Sequence, residues 1–117
     1  MKINKELMKG STSILILTLL DGADMYGYQI TQELKKRSDN TFDMKEGTLY
    51  PTLHALEKEG AVESYWQDSA EGRRRKYYKI TGDGREMLCH KQKEWSTFME
   101  AMNSIIAGGD DYGLQRI

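Results

Sequence analysis

The sequence predicts an α+β fold that is mainly α-helical and contains one β-hairpin, and three observations carry this prediction. The segment 46–60 has the pattern of a helix that ends at a glycine. The strand-like runs 62–66 and 76–80 flank a turn with the sequence Gly72-Arg73-Arg74-Arg75. A long helical pattern follows the second run. This order of helix, strand, basic turn and strand is that of a winged helix-turn-helix, here with a long C-terminal helix.

Two further helices are predicted before this unit. Residues 5–20 form an apolar cluster that covers nearly every side in its second half, so we expect one helix packed by more than one neighbour. The polar run 21–24 ends it. A second helix is predicted from about Tyr26 to Arg37, with Ile30 and Leu34 on its buried face.

The third helix has a narrow apolar stripe at 100° per residue, formed by Leu49, Thr52, Leu53 and Leu56. Its opposite side presents Gly47, Pro51, His54 and Lys58, without an acidic residue. Proline lacks an N–H and is tolerated in the first turn of a helix. We therefore expect this helix to start no later than Thr48, with Gly47 or Thr48 near its cap.

Strand alternation in the hairpin sends Val62, Ser64 and Trp66 to one face, with the loop at 68–72. Thr81 is the predicted N-cap of the last helix. The apolar stripe of that helix consists of Leu88, Lys91, Trp95, Phe98, Met99, Met102, Ile105 and Ile106.

The last helix is too long to be covered by the core of its own domain. About 25 residues span roughly 37 Å, so part of the stripe needs a second surface, and a two-fold homodimer is the simplest arrangement. We predict a winged helix-turn-helix DNA-binding domain at 1–80, a dimerisation helix at 81–106 and a flexible tail at 107–117.

Composition argues against several other classes of protein. The N-terminus lacks the features of a signal peptide, and its longest apolar run is too short to cross a bilayer. The single cysteine, Cys89, excludes an internal disulfide, and with only His54 and His90 beside it no metal site is recognisable. We expect a cytoplasmic protein without metal or cofactor, in which Cys89 is an inert buried thiol rather than a redox sensor.

Positive charge is concentrated in the hairpin although the net charge is −1. Residues 73–79 contain five cations and no acid. Such a run is ordinarily a solvated strand face, but DNA responds to local potential rather than to total charge. Its position directly after a candidate recognition helix favours binding to double-stranded DNA.

Four motifs resemble the PadR family of transcriptional regulators, in the right order and spacing. They are YGYQI (26–30), GTLYPTL (47–53), LEKEG (56–60) and RRKYYKIT (74–81). The resemblance implies a homodimeric regulator that binds an inverted repeat in a promoter and represses by default. The short C-terminal region resembles the smaller branch of the family, in which the last helix pairs with the partner's first helix.

The resemblance also implies a set of DNA-contact residues. These are Tyr26, Tyr28, Thr48, Tyr50, Pro51, Arg73, Arg74, Arg75 and Lys76, and the outward face of the third helix adds His54 and Lys58. His54 is a candidate for a base-edge contact, although an exposed histidine is more often only solvated. Of the adjacent Tyr77 and Tyr78, one is expected in the core and one near the phosphates, and we assign Tyr78 to the core.

Trp95 resembles a tryptophan that multidrug-binding members of the small branch hold at the dimer centre, where two copies enclose a flat aromatic compound. The implied ligand site comprises Trp95, Met8, Lys91, Phe98 and Met99, and the implied dimer face comprises Leu88, Trp95, Phe98, Met102 and Ile105. The alternative is that Trp95 only fills the dimer core, which is the more common use of such a stripe.

Two other classes of function remain as alternatives. An enzyme is disfavoured because the chain has no nucleophile elbow, phosphate-binding glycine loop or paired carboxylates in a recognisable site. A winged helix can also be a protein-interaction module. The four consecutive cations at 73–76 argue against that alternative, because a protein-interaction module has little need of them. Binding to a protein partner would also depend only weakly on salt concentration.

Overall fold

The computed structural model describes residues 3–115, with side chains as far as Gly108. The described chain contains five helices and three strands. They are α1 (Lys5–Lys9), α2 (Thr12–Gly22), β1 (Met25–Tyr26), α3 (Gly27–Arg37), α4 (Glu46–Lys58), β2 (Val62–Asp68), β3 (Arg74–Ile80) and α5 (Gly82–Gln115). The predicted α+β class, with its hairpin and long last helix, is confirmed.

The N-terminal segment forms two helices where the sequence pattern predicted one. Gly10 caps the C-terminus of α1, and the Ser11 hydroxyl donates to the Met8 carbonyl at 2.9 Å. Glycine and serine are weak helix formers, and the serine hydroxyl competes for backbone acceptors. At the other end of α1, the Asn4 side chain accepts from the Glu6 N–H at 2.8 Å.

The sheet has three antiparallel strands in the order β1-β3-β2, and β1 was not predicted. Tyr26 pairs with Tyr77 in this added strand and also caps α3, so it lies outside the helix in which the sequence pattern placed it. A strand of two residues has too little alternation to be recognised in the sequence. It fixes the start of α3 to the hairpin.

The core lies between α2, α3, α4 and one face of the sheet. Ile16, Leu17, Ile30, Leu49 and Leu53 are each 0 % exposed. The apolar stripe predicted for the third helix is therefore its buried face, with Thr52 half-buried at the edge. The other buried members include Leu34, Leu56, Val62, Tyr78, Ile80 and Leu88.

Helix α4 begins at Glu46, which agrees with the predicted start no later than Thr48, but its cap differs from the prediction. Its N-cap is Lys45, whose carbonyl accepts from the N–H groups of Thr48 and Leu49 at 3.0 and 2.9 Å. Neither Gly47 nor Thr48 is the cap, and Pro51 lies beyond the first turn. The proline leaves the Gly47 carbonyl without its usual helical donor, and Gly47 is exposed, so water can reach that acceptor.

Thr81 joins the hairpin to α5. Its hydroxyl accepts from the Gly84 N–H at 3.0 Å, as the predicted cap does, and donates to the Gly60 carbonyl at 2.6 Å. The backbone of Gly84 lies directly against the Ala61 carbonyl, where a Cβ would collide. Helix α5 then runs along α2, and Arg85 Nε is 3.2 Å from Asp21 Oδ1.

The helical backbone of α5 continues to Gln115, past the boundary predicted at 106. The flexibility predicted for the tail stays a prediction, and its last two residues lie outside the described part. The principal extents of 68 × 30 × 21 Å reflect the length of this helix. Over the part of the chain that the structure describes, no helix combines the length and apolar character needed to span a bilayer.

Candidate nucleic-acid interface

The outer face of α4 is open to solvent over its whole length. Its exposed residues are Gly47, Thr48, Pro51, His54 and Lys58, in agreement with the face predicted from the sequence. The opposite face is held in the core by leucines. This helix can therefore enter a groove of DNA without disturbing the packing of the domain.

Tyr50 connects this face to the start of α3. Its hydroxyl and ring edge lie where a Cβ of Gly27 would be, so only glycine at position 27 permits this close approach. The Tyr50 ring centre is 6.5 Å from that of His54. Tyr50 is half-buried, and its ring is tilted by 42° relative to that of the exposed histidine.

The basic residues lie mostly on a strand rather than at the tip of the hairpin. Arg74 and Arg75 belong to β3, opposite Asp68 and Gln67, and the turn comprises 69–73. Of the three arginines only Arg73 is in the turn, beside Gly72 with its φ of 81°. Because β3 alternates, Arg74 and Lys76 share one face and Arg75 points to the other.

The arginines of β3 already have partners within the chain. Arg75 Nη2 is 3.2 Å from Glu71 Oε2, and its guanidinium carbon lies 4.4 Å from the ring centre of Tyr26. Arg74 Nε is 3.9 Å from Asp68 Oδ1, and its guanidinium lies 5.3 Å from the ring centre of Trp66. These contacts orient both cations, since a guanidinium over an aromatic face is electrostatically favourable.

A row of tyrosines ties the hairpin to the turn before α3. The Tyr77 ring packs edge-on against Tyr26 at 5.4 Å and stacks on Tyr65 at 5.7 Å. The Tyr65 hydroxyl donates to Asp24 Oδ2 at 2.6 Å. That hydrogen bond, with a smaller effect of burial, raises the pKa of Tyr65 to about 12.

The neighbouring Tyr78 is 1 % exposed and belongs to the core, as predicted. Burial, followed by the charge of Glu57, raises the pKa of its phenol. The carboxylate of Glu57 accepts a hydrogen bond from the Ser64 hydroxyl, with 2.6 Å between Oγ and Oε2. Tyr77, on the opposite face, is the half-buried member of the pair.

A concavity of about 500 Å³ lies between α3, α4 and the hairpin. It brings together six of the predicted DNA-contact residues: Tyr26, Tyr28, Tyr50, His54, Arg75 and Lys76. Trp66 also lines it but was not among the predicted contact residues, although strand alternation placed its side chain on the same face as Val62. Arg73, Arg74 and Lys58 are exposed outside it.

Thr48 and Pro51 line a second groove, of about 660 Å³, between α1 and the N-terminal half of α4. Met8 lies in this groove too, half-buried against the core. The sequence-based hypothesis placed Met8 in the wall of a ligand slot at Trp95. In the single chain it lies beside the exposed face of α4, and its place in a slot at the dimer centre stays a prediction.

The stripe on α5 divides into a covered and an uncovered part. Leu88 is 4 % exposed and packs in the core of its own chain, which corrects its assignment to the dimer face. Lys91 and Trp95 are half-buried, and the Trp95 ring centre is 5.8 Å from that of Phe98. Beyond them the exposed apolar residues are Phe98, Met99, Met102, Ile105 and Ile106.

Cys89 is exposed, so the expectation of a buried thiol is wrong. Its side chain lies outside the apolar stripe of α5, and the buried part of that stripe ends near Leu88. Among the described residues, no three His, Cys, Asp or Glu side chains are grouped so that they could bind a metal ion.

Comparison with known proteins relates this geometry to a family. The profile of the transcriptional regulator PadR-like family matches residues 16–90. A transcriptional regulator from Mycobacterium tuberculosis, Rv3488, is 30% identical over 108 residues, covering 92% of this chain and 94% of the relative. The match includes α3, α4 and the hairpin.

Two solved structures have the same arrangement. A transcriptional regulator from Clostridium thermocellum, Cth-833, superposes with a TM-score of 0.81 at 32% identity, covering 87% of this chain and 99% of the other. A PadR family transcription regulator from Clostridium difficile R20291 gives a TM-score of 0.71 at 36% identity, covering 82% and 98%.

Proposed function

The chain belongs to the PadR-like family of transcriptional regulators, and from that membership we propose that it is a homodimeric repressor that binds an inverted-repeat operator. As a member of this family it is a DNA-binding regulator of transcription and not an enzyme. The observation that carries the proposal is the concavity in which the outer face of α4 and the cations of β3 meet. Both parts of a winged-helix interface are accessible there.

The two parts have different roles. Cations of the hairpin pair with phosphates, supplying register and most of the salt-dependent affinity. The exposed residues of α4 reach the base edges in the major groove, with His54 as the candidate for a direct base contact. That contact is bordered by Thr48, Tyr50, Pro51 and Lys58. The sugar-phosphate backbone of the DNA is approached from the start of α3 by Tyr26 and Tyr28.

The dimer is supported by the uncovered part of α5. Phe98, Met102 and Ile105 are 51%, 39% and 76% exposed in the single chain. A helix that leaves large apolar side chains such as these in water gains stability when a second copy covers them. Two-fold pairing also gives the two recognition helices the symmetry of an inverted repeat.

A flat aromatic effector fits this dimer at its centre. Trp95 and Phe98 form an aromatic pair at the inner end of the uncovered stripe, and Met99 is adjacent. Two copies of Trp95 facing each other across the axis would stack on such a compound. The effector then lowers operator affinity only if it favours a different spacing of the two α4 helices.

The proposal places the protein in the cytoplasm, at a promoter, where occupancy blocks polymerase. The experiment is fluorescence anisotropy with a duplex from the DNA upstream of its own coding region, against a scrambled duplex, at several salt concentrations. Tight binding with a steep salt dependence and two protomers per site is expected. Equal affinity for both duplexes, or binding insensitive to salt, contradicts the proposal and favours a protein-interaction module.

The effector is tested separately, with planar aromatic cations, neutral compounds and carboxylates added to the DNA complex. Release by one class in the wild type and not in Trp95→Ala supports the slot. Release that persists in Trp95→Ala, while the variant remains dimeric, argues against it.

A further inference from the structure

Trp66 stands out because it is a large aromatic residue on the sheet that stays more than half exposed. Its side chain is 56% exposed, whereas Val62 and Tyr78 on the same face are 2% and 1% exposed. The register pairs Trp66 with Lys76, two residues farther along each strand from the core than the Ser64–Tyr78 pair. The indole is therefore beyond the edge of the hydrophobic core, and packing within the domain does not explain it.

The indole forms one wall of the concavity between the hairpin and the helices. The same concavity is also lined by Tyr28, which is 65% exposed, and by His54 on the outer face of α4. Because its lining includes two exposed aromatic side chains, Trp66 and Tyr28, this slot has flat, apolar surfaces. Such surfaces favour an occupant with apolar or planar groups of its own.

The charge of the slot restricts the occupant further. Its lining contains the cations Arg75 and Lys76 and no carboxylate. Arg74 lies over the Trp66 ring at 5.3 Å, and Lys76 Nζ lies 5.6 Å from the ring centre of Tyr78. This lining therefore favours an occupant that combines negative charge with an apolar surface.

The backbone of a DNA strand has this combination, with an apolar deoxyribose between two phosphates. We propose that Trp66 is a DNA-contact residue whose indole packs on a deoxyribose of one operator strand, while Arg74 and Lys76 pair with the phosphates on either side. The slot is continuous with the exposed face of α4, so the same strand passes from the hairpin to the recognition helix. This inference rests on the proposed function, because it assumes that duplex DNA is the partner.

Trp66 can be tested without being altered, because the chain contains only two tryptophans, Trp66 and Trp95. In the variant Trp95→Phe the intrinsic fluorescence comes from Trp66 alone. Titration with the wild-type operator duplex is expected to quench that emission and shift it, with the same midpoint as anisotropy of labelled DNA. Unchanged emission while anisotropy reports full binding overturns the proposal.

Substitution provides the second measurement. Trp66→Ala is expected to weaken binding to every duplex about tenfold and Trp66→Phe about threefold, since burial of apolar area contributes in proportion to its size. The slope of log affinity against log salt is expected to stay that of the wild type, because the indole carries no charge. A slope reduced by about one, as expected for Arg74→Ala, shows that Trp66 only positions Arg74 and overturns the proposal.

The controls separate this inference from the proposed function. Wild-type protein that binds no duplex contradicts both. Wild-type protein that binds its operator, with Trp66→Ala of equal affinity, contradicts only the role of Trp66. A third outcome also overturns it: stronger quenching of the Trp66 emission by a single-stranded oligonucleotide than by the duplex of the same sequence. Circular dichroism confirms that each variant is folded.

Discussion

The guanidinium of Arg75 lies 4.4 Å from the ring centre of Tyr26 and extends across from β3 to β1. Tyr26 is also the N-cap residue of α3, so the cation is positioned by the segment that begins the helix beside α4. The ion pair with Glu71 holds the same side chain from the turn. Arg75 is thus oriented before DNA arrives, but its charge is partly compensated.

Glu71→Gln is expected to strengthen DNA binding about threefold and to make the salt slope steeper by about one. The substitution removes the carboxylate that competes with phosphate for Arg75, while Tyr26 still orients the guanidinium. Anisotropy at several salt concentrations measures both quantities. Glu63→Gln is the matched control, with the same change of charge on the same hairpin. An equal gain in the control would mean that only net charge matters.

Arg74→Ala is expected to weaken binding to all duplexes by a similar factor and to reduce the magnitude of the salt slope by about 0.9. The side chain is 68% exposed and lies on a strand, where it reaches phosphates rather than base edges. Lys93→Ala, an exposed cation on α5, is the control. Loss of preference between operator and scrambled DNA is incompatible with a phosphate contact.

Tyr65→Phe is expected to lower the free energy of unfolding by about 1 kcal/mol at pH 8, because it removes the hydrogen bond to Asp24. The pKa of Tyr65 rises from 10.0 to about 12 on folding, so the folded chain holds the phenolic proton more tightly. This contribution is complete below pH 10 and is lost as the pH rises from about 10 to about 12.

Urea unfolding at pH 8 and at pH 11.5 tests this dependence, with the approximate upper pH chosen inside that window. The difference between wild type and Tyr65→Phe should shrink at the higher pH. Tyr28→Phe is the control, because Tyr28 is exposed. A difference that is independent of pH refutes the assignment of the shift to this hydrogen bond.

Gly84→Ala is expected to lower the free energy of unfolding by about 2–4 kcal/mol, since the new Cβ collides with the Ala61 carbonyl and backbone has to move. Gly82→Ala, in the same turn of α5, meets nothing within 4 Å and should be neutral or slightly stabilising. Thermal and urea unfolding compare the two. Similar stabilities for both variants would falsify the close approach.

Ile105→Asp is expected to weaken dimerisation more than tenfold, because two-fold symmetry introduces the charge twice into one apolar interface. Analytical ultracentrifugation measures the association. Ser104→Asp is the control, since at 100° per residue Ser104 is on the opposite side of α5. If both variants remain dimeric at the same concentration, the stripe is not the dimer face.

The helices with long apolar periodicity could be predicted from the sequence, and so could the faces they bury. Leu49, Leu53 and Leu56 recur at helical spacing, and burial follows directly from that pattern. The exposed face of α4 follows by exclusion. Likewise Thr81 was predictable as a cap, because a hydroxyl residue between a strand and a helix has few other roles.

Features that depend on contacts between distant segments were not predictable. The strand β1 exists because Met25 and Tyr26 pair with Tyr78 and Tyr77, and nothing local to residues 25–26 encodes that pairing. The place of Leu88 in the core depends on how α5 packs along α2. The exposure of Trp66 depends on where the core ends under the hairpin. Strand alternation predicts the face on which a residue lies, but not whether other side chains pack over it.

The hydroxyl of Thr81 bonds both to the Gly60 carbonyl, just after α4, and to the Gly84 N–H in the first turn of α5, so one side chain links the domain to its long helix. In the proposed dimer, the angle of α5 therefore sets how far apart the two α4 helices stand. A lever of about 50 Å that turns by about 5° moves its far end by about 4 Å. Half-sites on one side of DNA are about 34 Å apart. A small rotation at the symmetry axis is therefore enough to move the two α4 helices away from the spacing of the half-sites.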